Sequence, residues 1–68
     1  MEAAVQLTLF DLAGQRVIVL LTGRRAAGRH IVSWNGRDAE GRAVATGIYL
    51  ACLYANGLAQ QRLLTLIH

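Results

Sequence analysis

Apolar and polar residues alternate at the start of the chain. Val5, Leu7 and Leu9 fall on one side of an extended segment and Gln6 and Thr8 on the other, the two-residue period of a half-buried strand. This strand is expected to end at Asp11. Asp11-Leu12-Ala13-Gly14 then reads as a turn, with Asp favoured at its first position and Gly at its last. RVIVLL, from Arg16 to Leu21, is short and rich in β-branched residues, so it predicts a second strand in an antiparallel hairpin with the first. Thr22 to Arg29 breaks the pattern with two glycines and three arginines and reads as a surface loop crossing between sheets. The alternation resumes in HIVSW, where His30, Val32 and Trp34 share one face of a predicted third strand.

The stretch WNGRDAEGRAVATGIY, from Trp34 to Tyr49, organises the middle of the chain. Trp34 and Tyr49 are its bulkiest residues, each able to bury roughly 150–250 Å², and both are expected as core anchors. Asn35-Gly36 and Glu40-Gly41 tolerate positive φ, and Asp38 bonds its own backbone, so an ordered tight connector is predicted between the anchors. Beyond Gly47, the runs Ile48 to Tyr54 and Leu58 to Ile67 flank Asn56-Gly57, a type I′ hairpin signal. A two-residue turn there pairs Ala55 with Leu58 and Tyr49 with Leu64. One face of the hairpin then carries Tyr49, Ala51, Leu53, Leu64 and Leu66. The other carries Ile48, Leu50, Cys52 and Tyr54 with Ala59, Gln61, Leu63, Thr65 and Ile67, mixed but richer in apolar groups than a wetted sheet face should be. This second face is expected to meet a partner or the remainder of a longer protein.

No helical period persists beyond a turn, and five short strands separated by glycine turns predict a small antiparallel β-sandwich in one domain, residues 1–68. Composition agrees: 54% of residues are hydrophobic and 16% charged, outside the range of disordered segments. A lone cysteine, Cys52, precludes an internal disulfide and reads as a small buried hydrophobe. The longest run of Val, Ile and Leu, Val17 to Leu21, is five residues against roughly 20 for a membrane span, and none is expected. MEAAVQ lacks the features of a secretory signal.

Candidate chemistry is sparse. Ser33, the only serine, lies three residues from His30 on one predicted strand, which sends the two side chains to opposite faces and precludes a triad. Asp38 and Glu40 sit two apart in a turn without a surrounding pocket, so no acid/base pair, and hence no enzyme, is expected. The central loop departs from calcium-loop spacing, with Gly36 where an aspartate is needed, and Asp11 and Asp38 read as turn formers. No cofactor or metal is implied. Net charge is +3, from seven arginines and no lysine. Arg24, Arg25 and Arg29 cluster in one predicted loop, but the aromatics that would stack bases are committed to the core, so nucleic acid is not an expected partner. Edge-to-edge self-association is a further expectation, from Val17 to Leu21 and Leu63 to Ile67.

The strings LTLFDLAGQRV, AGRHIVSWNGRDAEGRAVATGIYLACLYANG and QRLLTLI closely resemble the type IX secretion sorting domain of exported bacterial proteins, similar in turn to the Ig-like domain of the flagellar hook-capping protein. The resemblance runs from Val5 to His68. It implies an Ig-like sandwich of five to seven strands that is recognised rather than catalytic. In the sorting family such a domain ends its host, is read by the outer-membrane translocon and is often removed as the cargo is anchored at the cell surface. The matching positions are Gly47 and Tyr49, Asn56-Gly57, and the terminal strand containing Arg62, Leu64 and Leu66. The expected role is therefore a sorting and anchoring tail of a secreted or surface protein, whose partner is a secretion translocon. The alternative is a hook-cap-like structural module, or a self-assembling β-subunit, acting by packing on neighbouring protein.

Overall fold

In a computed structural model of the chain, residues 2–26 and 32–67 are described. They form four antiparallel strands, β1 (Glu2–Phe10), β2 (Arg16–Ala26), β3 (Gly47–Ala55) and β4 (Leu58–Leu66), in one sheet ordered β2-β1-β3-β4. Both predicted hairpins form. The first closes on Asp11, whose backbone carbonyl accepts from the Gly14 amide at 3.1 Å and whose carboxylate accepts from the amides of Ala13 and Gln15. The second closes on Asn56 and Gly57 at φ of 53° and 76°, the paired positive values of a type I′ turn. Its register is the predicted one, Ala55 opposite Leu58 and Tyr49 opposite Leu64.

Pairing puts Val5, Leu7, Leu9, Ile18, Leu21, Tyr49, Ala51, Leu53, Leu64 and Leu66 on one face, all buried or half-buried. This inner face is the core. Leu9, on a central strand, is only 1% exposed. The outer face carries Thr8, Phe10, Val19, Leu50 and Cys52 at its middle, with Ile48, Tyr54 and Leu63 exposed; Ile67, one residue past β4, is exposed as well. Cys52 is half-buried, less enclosed than expected.

Three expectations change. Residues 22–26, expected in a loop, continue β2, because β1 begins at Glu2 and offers them backbone partners from Glu2↔Ala26 to Gln6↔Thr22. Ladder hydrogen bonds thus outweigh the local turn preference of Gly23. Arg24 and Arg25 consequently alternate between faces instead of clustering in a loop; Ala27, Gly28 and Arg29 lie outside the described residues. Residues 32–34, expected in a third strand, belong to no strand, since this segment carries Trp34 to the sheet surface; His30 and Ile31 lie outside the described residues. The described residues therefore make four strands in one sheet, where five to seven strands in a two-sheet sandwich were expected.

β2 is irregular. Leu7 faces Leu21 while Thr8 faces Val19, and Leu9 faces Ile18 while Phe10 faces Arg16, so Leu20 and Val17 are extra residues in two bulges. The apolar run VIVLL thereby supplies side chains to both faces.

Candidate functional site

Residues 34–47 fold back over the end of the sheet as a small hairpin of their own. Arg37 and Ala43 form an isolated bridge, the Val44 amide donates to the Gly36 carbonyl at 2.9 Å, and the Asp38 amide donates to the Arg42 carbonyl at 2.9 Å. Asp38 organises the tip: its carboxylate accepts from the Glu40 amide at 3.0 Å and the Arg42 amide at 2.9 Å, while its carbonyl accepts from the Gly41 amide. Gly41 turns the chain at φ of 82°.

This arrangement repeats the Asp11 turn bond for bond. In both, an aspartate carbonyl accepts from a glycine three residues on, and its carboxylate accepts from the amides two and four residues on. The shared spelling is Asp-x-x-Gly, at positions 11–14 and 38–41. Sequence reasoning treated the two turns separately; their common spacing is the signal that links them. They lie side by side, because the Ala39 amide donates to the Val17 carbonyl, at a β2 bulge, at 3.2 Å.

Trp34 and Tyr49 hold this assembly to the sheet. Their rings meet edge-on at 5.2 Å, an arrangement favoured by the aromatic quadrupole. The Tyr49 hydroxyl donates to the Ala45 carbonyl, and the Trp34 indole N–H donates to the Arg37 carbonyl at 2.9 Å. Asn35 Oδ1 accepts from the Arg37 amide at 3.1 Å, and the Arg37 guanidinium closes on the Gly41 carbonyl at 2.9 Å. Tyr49 is buried, as expected of an anchor, whereas Trp34 is only half-buried.

The sequence-selected residues thus fall into two groups. Trp34, Asn35, Gly36, Asp38, Gly41, Gly47 and Tyr49 converge at the capped end. Asn56 and Gly57 sit at the far end of β3, about 23 Å from Tyr49 at 3.3 Å per residue. Arg62, Leu64 and Leu66 lie along β4, with Leu64 and Leu66 returning opposite Tyr49 and Gly47.

Electrostatics at the cap serve its own closure. The Arg42 amide, first, and then the Glu40 amide and the Arg42 charge hold the Asp38 carboxyl below its ordinary range, against an opposing push from partial burial. Arg42 Nε stands 3.3 Å from Asp38 and its Nη2 3.7 Å from Glu40, exposed pairs of small energetic value. Among the described residues, no buried side-chain nitrogen or oxygen lacks a partner, and no three metal-ligating side chains come together.

These features define a small all-β domain built from antiparallel hairpins, with one capped end and one open face. The chain belongs to the FlgD Ig-like domain family, whose model matches residues 2–57. That span takes in β1, β2, β3 and the Asn56-Gly57 turn and stops before β4. No curated protein and no solved structure matches the chain.

Proposed function

We propose that this domain is a non-catalytic structural module that works by packing its outer sheet face against a neighbouring protein domain, which supplies the second layer of an Ig-like sandwich. The carrying observation is the outer face itself, where Ile48, Tyr54, Leu63 and Ile67 are all exposed, Leu63 at 67% and Ile67 at 77%. Side chains that project from one sheet face form an apolar patch of the kind that marks interaction surfaces.

A photo-cross-linking residue placed at position 48 in the intact host protein tests this, with position 43 on the cap as the control. Adducts with a defined neighbouring domain are expected from position 48 and not from 43. Equal or absent labelling at the two positions would sink the packing reading.

A second reading, the sorting and anchoring signal of an exported surface protein, is supported by Gly47-Ile48-Tyr49 and by the exposed strand around Arg62. It differs in what meets the last hairpin, namely a translocon component. Deleting residues 62–67 from an exported fusion is expected to retain the fusion inside the cell on this reading; normal surface display of the deletion would refute it.

A further inference from the structure

The two edges of the sheet are built differently. Along β2, two bulges interrupt the register, Gly23 sits at φ of 116°, Arg24 and Arg25 project to either side, and the Ala39 amide takes the Val17 carbonyl. Bulges, charges and a covering loop are the devices by which proteins blunt an edge against further pairing. The expected pairing edge at residues 17–21 is therefore closed off. β4 has none of these: its nine residues pair with β3 in unbroken register, it contains no Pro, Gly or Lys, and Arg62 is its only charge. Among the described residues it has no neighbour on its other side.

The exposed edge also reads the same in both directions. Leu63-Leu64-Thr65-Leu66-Ile67 is a palindrome in chemical type about Thr65. Backbone geometry agrees with that centre. A two-residue turn is closed by a hydrogen-bonded pair, here Ala55 with Leu58, and bonded pairs recur at every second position. Leu64 and Leu66 therefore direct their backbone groups to Tyr49 and Gly47, while Leu63 and Thr65 direct theirs outward.

We propose that β4 pairs antiparallel with β4 of a second copy of this chain, about a two-fold axis through Thr65, joining two sheets into one of eight strands. This uses the strand edge rather than the outer face, and so goes beyond the packing reading above. Thr65 meets its own counterpart, Leu63 faces Ile67 on the outer side, and Leu64 faces Leu66 on the inner side. Across residues 63–67 every contact is apolar or hydroxyl to hydroxyl, the self-complementarity that a two-fold interface requires. The two Arg62 side chains stand about six residues apart along the paired strands, roughly 20 Å, beyond the Debye length of about 10 Å at 0.1 M salt. Centring the pair on Arg62 instead would oppose the two guanidinium groups. The registered centre at Thr65 avoids this while matching all four leucine and isoleucine positions.

The test measures mass by light scattering over a concentration series of the 68-residue chain. The wild-type mass is expected to rise to twice that of one chain. Thr65→Lys and Thr65→Glu each place like charges on the axis and are expected to hold one-chain mass with an unchanged far-ultraviolet circular dichroism spectrum, whereas an equal mixture of the two returns to the two-chain mass. A wild type that stays at one-chain mass, or a Thr65→Lys variant that associates like the wild type, overturns the proposal. Amide hydrogen exchange needs no substitution: the Leu63 and Thr65 amides are expected to slow as the wild-type concentration rises. A two-chain species in which both amides still exchange as in the dilute chain overturns edge pairing, yet leaves packing through Ile48 standing.

Discussion

Tyr49 combines two restraints in one side chain: its ring meets Trp34 edge-on, and its hydroxyl holds the Ala45 carbonyl. Tyr49→Phe removes only the second. Because Ala45 is exposed and water replaces the lost donor, the cost is expected to be about 1 kcal/mol, a fall in thermal midpoint of roughly 4–8 °C for a domain of this size, with the fluorescence of Trp34 unchanged. A shift in that fluorescence would mean that the hydroxyl, rather than the ring, sets the aromatic pair. Asp38 makes a pH prediction whose sign follows from its lowered titration. The folded chain favours the carboxylate, so its contribution to stability is present above about pH 4 and is lost as pH falls through the folded-state value. Following the Asp38 carboxyl by NMR should give a midpoint below that of an unfolded peptide. Arg42→Ala should raise it only in part, since the position 42 amide, the leading cause, survives the substitution; complete normalisation would assign the effect to the side chain.

At the scale of elements, the final hairpin was the most legible part of the sequence. Asn56-Gly57 dictates both the turn type and, through the count of residues on each side, the whole register of β3 on β4. Gly57→Ala keeps the hairpin but forces a β-carbon into a left-handed conformation, which is expected to cost about 1–2 kcal/mol and is read from the urea midpoint; no loss of stability would contradict the positive φ of this turn. The first hairpin was legible in its turn and not in its length. Gly23 and the paired arginines at 24 and 25 carry a local loop signal, and only the partner strand, starting at Glu2, decides that they are extended. The bulges at Val17 and Leu20 were hidden for a related reason: a continuous apolar run has no period to reveal where a residue is skipped. The cap around Asp38 was readable as an ordered turn, but its equivalence to the turn at Asp11 appears only when the bonds of both are compared.

At the scale of the whole molecule, the sequence predicted an all-β domain with two apolar faces, and the described residues supply one sheet with one face capped at an end. The described residues supply four strands: HIVSW alternates like a strand, while its described residues 32–34 serve to bring Trp34 to Tyr49. A single sheet has little depth, so its stability concentrates in few side chains. Leu9→Ala, at the most buried position, is expected to cost about 2–5 kcal/mol, against the roughly 3–5 kcal/mol that a core of this size supplies. Urea denaturation should then show most of the cooperative transition lost; a variant that unfolds like the wild type would mean that the fold depends on something other than this core. The bulges of β2 have one more consequence. In the language of polymer chemistry, a strand-pairing unit with two competent ends grows without limit, whereas a unit with one competent end terminates on its first coupling. With its β2 end blocked by skipped residues, guanidinium groups and the Ala39 amide, this sheet has one end left to couple, and the edge pairing proposed above would stop at two copies.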